Sequence, residues 1–392
     1  YIVILFFTLL PVKATFSMEK EDWDFANGLY IRGIYDLAQK EYKKFIEAYP
    51  DSEFVSDAYY RIAESLWKLE RYEEAIAYYQ KLKRLNLQQE KREVVRIREA
   101  LCYREAGNLK KSKELLEKFL ENFPESDILS TVYYILGQIE SELGNDEASI
   151  AYYDKAIGAG GENKRIALYR KGYALIRSGK KREALNVFIE IVKDKVSDEI
   201  KEDALFKTGE LYYQLKDFSN AYKSYRKYLR NYPDSDLTID AYKNVFYSLF
   251  ENGDLNEMER FYNETKAIKR YEKLLDFAFF MLAKTCYKKG RYDLSLKYCT
   301  KLEENGELSE YFAQSIILKA KISFLNKKYE DVLNILNKTK SIEITKEELC
   351  EINFIKAMVL KNLARFKDAK EFFHQVILLN AKKTFSYIVK GW

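Results

Sequence analysis

The chain has 392 residues, among them 33 Tyr and 24 Phe but one His, four Pro and four Cys. Aromatic residues at 15% and charged residues at 32% exclude an intrinsically disordered chain. Sixty-six basic against 61 acidic residues leave a net charge of +5, spread without the basic tract that a nucleic-acid footprint needs; the single His excludes most zinc sites and most His-based catalysis.

The first element is the apolar run from Tyr1 to Val12, about twelve residues against the roughly 20 that a bilayer span needs. Val12-Lys13-Ala14 offers a small-residue cleavage site, with Ser17 as a second option. Residues 1–17 are therefore expected to be a signal peptide whose start lies upstream of Tyr1. The alternative is a first helix that is buried or rests on a membrane. No Cys follows the cleavage region, so a lipid anchor is not supported. Export would put the mature chain in the periplasm or cell envelope, touching membrane only through this transient segment or through associated complexes. Cys102, Cys286, Cys299 and Cys350 lack Cys-x-x-Cys spacing and read as small buried apolar residues. Cys286 and Cys299, on consecutive helices, are the one pair worth checking.

From residue 18 the chain repeats. Small residues recur at Ala26, Ala63, Ala100, Gly137, Gly172, Gly209, Ala283, Ala320 and Ala357, with Phe246 in the seventh place. The interval is 37 residues, except one of 35 between Gly137 and Gly172. A second series keeps the same intervals: Ala38, Ala75, Ser112, Ser149, Ala184, Ala221, Met258, Ser295, Val332 and Ala369. Four residues after each stands a larger one, such as Tyr42, Tyr79, Tyr153, Phe188 and Tyr225. This is the signature of paired helices, where small residues let two backbones approach and the residue one turn on fills the gap. Gly33, Gly107, Gly144, Gly179, Gly253 and Gly290 mark the turn inside the pair. Pro50, Pro124 and Pro233 close a repeat, each followed by an acidic residue and then Ser; the Ser is expected to cap the incoming helix.

In chain order the units are repeats one to four (18–157), a Gly-rich hinge (158–163) around Gly158-Ala159-Gly160-Gly161, and repeats five to ten (164–385). Residues 386–392 would form a partial cap or the start of a truncated next repeat. Repeat seven breaks the small-residue rule twice, and its packing is expected to be displaced.

This pattern resembles the tetratricopeptide repeat, a helix–turn–helix of 34 residues with small residues on both helices. Repeat two carries it from Ala58 to Ala63 and from Glu70 to Tyr79. The unit here is three residues longer, which is expected to lengthen the first helix at its start. With its Tyr-Pro-Asp-Ser joints it resembles the bacterial envelope type, represented by the outer-membrane assembly lipoprotein and the Tol–Pal division coordinator. The lipidated Cys of the former and the coiled coil of the latter are missing. The resemblance implies an all-α, right-handed solenoid of about ten repeats, with first helices along a concave face and no catalytic role.

On that face one helical position reads Trp23, Tyr60, Ile97, Tyr134, Tyr169, Phe206, Lys243, Phe280, Ile317 and Phe354 through the repeats, seven of ten aromatic. Seven residues later come Tyr30, Trp67, Arg104, Ser141, Ile176, Tyr213, Phe250, Tyr287, Phe324 and Lys361, six of ten aromatic, and between the two tracks lie Tyr173 and Tyr247. These residues are expected to line a groove for extended or helical segments of protein partners, because aromatic rings give contact area at low entropic cost. The competing expectation is that the rings pack between repeats. At the intermediate position acids fall early (Glu64) and lysines late (Lys284, Lys321), so an acidic and a basic half of the groove are expected. His374 has no partner at a catalytic spacing, no phosphate-binding Gly loop occurs, and no cofactor is implied. The alternative function is the substrate-gripping solenoid of a cell-wall enzyme, or a glycan binder, with catalysis elsewhere.

Overall fold

The computed structural model describes residues 10–379 except 197 and 305–308. The expectations for residues 1–9 and 380–392 concern stretches outside the described residues. Among the described residues the chain is all-α, a repeat solenoid of ten helix pairs. The first five pairs are α1 (Leu10–Ile31) with α2 (Tyr35–Ala48), α3 (Val55–Lys68) with α4 (Tyr72–Leu82), α5 (Gln89–Glu105) with α6 (Leu109–Asn122), α7 (Leu129–Glu142) with α8 (Asp146–Ala159), and α9 (Lys164–Arg177) with α10 (Lys181–Lys193). The other five are α11 (Glu199–Gln214) with α12 (Phe218–Asn231), α13 (Thr238–Asn252) with α14 (Leu255–Thr265), α15 (Leu275–Lys288) with α16 (Tyr292–Glu304), α17 (Phe312–Leu325) with α18 (Tyr329–Asn337), and α19 (Lys346–Asn362) with α20 (Phe366–Leu379). The chain divides into two compact units, Tyr1–Ile191 and Val192–Trp392. The turn at Gly160 and Gly161, both with positive φ, lies inside the first unit.

Within each repeat the small-residue positions are where the two helices meet. Ala26, Ala63, Ala100, Ala283, Ala320 and Ala357 are all fully buried. The partner residue from the second helix fills the space. A Cβ added at Gly172 would stand 2.7 Å from the Phe188 ring, and one at Gly137 2.6 Å from Tyr153. Glycine is required there because the ring leaves no room for a methyl group. Tyr42, Tyr79 and Phe188 are fully buried in turn. In the first unit, Ala26, Tyr42, Ile62 and Tyr79 belong to one apolar cluster; in the second, Tyr225, Tyr242, Phe246 and Phe277 do.

The turn inside each pair is left-handed in all ten repeats. Six carry glycine, with φ from 69° at Gly253 to 79° at Gly107. In the other four the same place is held by Glu70, Lys216, Lys327 and Ala364, at φ 58° to 63°. These side chains pay the Cβ–carbonyl clash that glycine avoids.

The proline joints differ from expectation in one respect. The helices after them begin at Val55, Leu129 and Thr238, and their cap positions are Phe54, Ile128 and Leu237, without side-chain caps. The serines act earlier. Each Oγ accepts from the backbone N–H two residues on: Ser52 from Phe54, Ser126 from Ile128, Ser235 from Leu237. Ser52 and Ser126 also donate back to Glu19 and Glu93 on the preceding first helix, at 2.5 and 2.6 Å. A serine that must hold a turn and a carboxylate is not free to cap.

First-helix lengthening is uneven: the first helices of repeats one, three, six, seven and ten have 22, 17, 16, 15 and 17 residues. In repeats such as two and four the helix has 14, and the extra residues form the joint. Repeat seven fills its large positions with aromatic contacts. Phe246 packs edge-on to Phe261 and Phe277, and a 3-10 turn (Lys269–Leu274) brings Tyr271 onto Tyr242 at 4.5 Å.

Candidate functional site

The second unit contains a cleft of about 420 Å³ between its first helices. Helices α13 and α15 supply its aromatic wall, Phe250, Phe280 and Tyr287. Helix α17 supplies Gln314, Ile317, Leu318 and Lys321, and α19 supplies Glu348 and Glu351. The i, i+4, i+8 spacing puts Phe280, Lys284 and Lys288 on one face of α15, so two ammonium groups rise beside the rings. Lys284 Nζ lies 4.8 Å from the Phe250 ring centre and 5.8 Å from that of Phe280. Lys288 Nζ lies 4.5 Å from Phe250. These are cation–π distances. Burial holds Lys284 below its ordinary pKa; Glu251 and Glu351 raise it, while Lys321 and Lys288 lower it. Lys321 is paired with Glu351 at 2.5 Å. Glu348 accepts from the Thr345 N–H as part of the capping box that starts α19.

The first unit has a second, more polar cleft of about 380 Å³, where Tyr169 and Tyr173 meet Arg104, Arg170 and Arg177. Its cations are largely spent internally. Arg104 is bound to Glu142 and, at 3.2 Å, to Gln138. Arg177 binds Asp146 and Ser141, each at 2.7 Å.

The remaining aromatics named from sequence are distributed between seam and surface. Trp23 stacks on Phe54 at 5.0 Å and touches Tyr42 and Phe45. Tyr60 leans on Tyr79, and Tyr134 on Tyr153. Tyr30 holds the Arg61 guanidinium 4.6 Å above its ring, and Trp67 sits under Lys68 and Arg98. Tyr213 is half-buried against Phe218, and Tyr247 is 40% exposed. Phe206 is corrected to a core residue: it is 5% exposed, edge-on to Tyr225 and Tyr228. Of the acids expected at the intermediate position, Glu64 is withdrawn from the groove surface. Glu64 is 6% exposed and its carboxylate is taken by the Tyr79 hydroxyl and Arg98. Asn27 serves Tyr42 in the same way at 3.1 Å. A second-helix tyrosine that reaches the inner face needs an acceptor, and this position provides it.

Models of the tetratricopeptide repeat match residues 24–86, 97–126, 130–159 and 203–235. The repeats are tetratricopeptide-like. A TPR repeat-containing protein of Methanocaldococcus jannaschii is 24% identical over 417 aligned positions, covering 92% of this chain and 70% of that one. Among solved structures, the C-terminal part of a TPR repeat-containing protein of Cytophaga hutchinsonii is 16% identical, covering 85% of this chain and 98% of its own, at a TM-score of 0.40. A tetratricopeptide repeat protein of Parabacteroides merdae is 18% identical, with coverages of 68% and 98% and a TM-score of 0.37. YrrB, described as a TPR protein with an unusual peptide-binding site, is 23% identical, with coverages of 51% and 96% and a TM-score of 0.39.

Within the tetratricopeptide-like repeats, the single stripe read from sequence captured Phe250, Phe280 and Tyr287 but missed Lys288, Gln314, Glu348 and Glu351. Lys288 lies one turn beyond Lys284 and was within reach of the same periodicity. Gln314 and the two glutamates stand at the edges of the stripe, and only the packing of adjacent repeats turns them inward.

Proposed function

We propose that the protein is a non-catalytic interaction scaffold that holds segments of partner proteins against the first-helix face of its repeats, with the cleft of the second unit as the principal site. The observation that carries this reading is the convergence of Phe250, Phe280 and Tyr287 with the exposed ammonium groups of Lys284 and Lys288 in one open cleft. Rigid rings on helices give large contact at small entropic cost, as protein-binding surfaces require. The tetratricopeptide-like repeat supports the same role. For location, the apolar run before Ala14 supports an exported, envelope-associated chain, in which the scaffold serves envelope assembly. Helix α1 spans the cleavage region, and no described helix is long and apolar enough to cross a membrane.

Site-specific photocrosslinking tests the binding site. A benzophenone amino acid at position 287 should yield defined crosslinks to partner segments, whereas one at Lys297 of α16, which does not line the cleft, should not. Equal yields at both positions would refute the cleft as the site. N-terminal sequencing of the protein recovered from its native cells tests export: a start near Ala14 or Ser17 is expected, and an intact upstream segment would contradict it.

A further inference from the structure

Three features of the second-unit cleft say what chemistry its occupant carries. First, among the described residues Lys284 and Lys288 have no carboxylate within ion-pair distance, although Lys321 beside them is paired with Glu351. Among the described residues both face aromatic rings, Lys284 those of Phe250 and Phe280 and Lys288 that of Phe250. Both ammonium groups stay open to solvent, so an anion entering the cleft can reach them. Second, the rings together with Ile317 and Leu318 form an apolar wall directly beside the ammonium groups. Third, Gln314 lines the cleft and its Oε1 is buried without a hydrogen-bond partner. A buried acceptor left unpaired is costly; because Oε1 has almost no accessible surface, an occupant's N–H relieves it when the Gln314 side chain turns into the cleft. A small anion supplies no such donor. A passing polypeptide backbone does.

Resting on the scaffold reading, we propose that this cleft binds an internal acidic segment of a partner protein. An apolar side chain lies among Phe250, Phe280 and Ile317, flanking Asp or Glu carboxylates lie on Lys284 and Lys288, and a backbone N–H donates to Gln314 Oε1 once that side chain has turned into the cleft. The carboxylates come from side chains rather than from a chain end. The two ammonium groups follow each other one turn apart along α15, and the cleft draws on four first helices, which suits a chain running through.

The test uses fluorescein-labelled peptides with amidated C-termini in a Gly/Ser frame, each carrying one leucine between two glutamates, two glutamines or two lysines. The full-length protein is titrated by fluorescence polarisation. The glutamate peptide should bind at least tenfold more tightly than the glutamine peptide, and the lysine peptide most weakly. The double variant K284Q/K288Q should remove the preference, and K284R/K288R should keep it. The glutamate peptide should also shield Lys284 from acetylation, read by mass spectrometry. A free C-terminal carboxylate on the glutamine peptide should restore less than threefold; full restoration would overturn the internal-segment assignment. Equal binding of glutamate and glutamine peptides, or a preference that survives K284Q/K288Q, would overturn the proposal. If binding is equal but is lost on F250A/F280A/Y287A, the scaffold reading stands and only the acidic specificity falls. If no peptide binds and position 287 gives no crosslinks, both fall.

Discussion

At the scale of single residues, the left-handed turn position shows what composition hides. Six repeats announce it with glycine; Glu70, Lys216, Lys327 and Ala364 give no sign in sequence, because their side chains have no preference for that conformation and only the closed pair enforces it. An L-residue there costs about 1–2 kcal/mol, part of which a glycine returns as unfolded-chain entropy. Ala364→Gly should therefore raise stability by about 0.5–1 kcal/mol, read as a higher denaturant midpoint. The seam glycines predict the opposite. Gly172→Ala drives a methyl into the Phe188 ring and should cost about 1–3 kcal/mol on the same measurement. The cysteines read from sequence as small buried residues are buried and free, Cys286 and Cys299 included. Burial pushes Cys102 and Cys299 up to about 12 and Cys286 to about 11. At pH 8 their thiolates are scarce and sheltered, so reaction with a disulfide reagent should follow unfolding rather than precede it. A fast native-state reaction of any of the three would contradict this.

At the scale of elements, the period and pairing of helices were legible because small residues recur wherever two backbones must touch. The helix starts were less so. Ser52, Ser126 and Ser235 look like caps, yet they hold the proline turns and leave Phe54, Ile128 and Leu237 at the cap positions. The reason lies 33 residues upstream, in carboxylates such as Glu93, where no local reading would look. Ser126→Ala should leave the Glu93 carboxylate buried without that donor and cost about 1–3 kcal/mol in chemical denaturation. A full capping box does occur at Thr345 and Glu348, and it starts the helix that carries Glu351 into the cleft. Thr345→Ala should cost about 1 kcal/mol and raise amide exchange in the first turn of α19.

At the scale of the molecule, the sequence pointed to an aromatic face but could not divide it into seam and site. Phe206 and Phe280 share one repeat position; Phe206 is 5% exposed between two tyrosines, while Phe280 stacks on Tyr311 and keeps an edge in the cleft. The difference comes from neighbouring repeats, which periodicity within one helix does not encode. Glu64 leaves the groove for the same reason, since it answers to Tyr79 and Arg98. What remains is a cleft in the second unit whose rings and lysines form the proposed protein-binding site. The most direct measurement is calorimetric titration of a segment captured at position 287 into the wild-type chain and into F250A/F280A/Y287A, with the unfolding midpoint of each recorded. The cleft assignment predicts at least a hundredfold weaker binding, about 3 kcal/mol, in a variant that still folds. Unchanged affinity in that folded variant would contradict it.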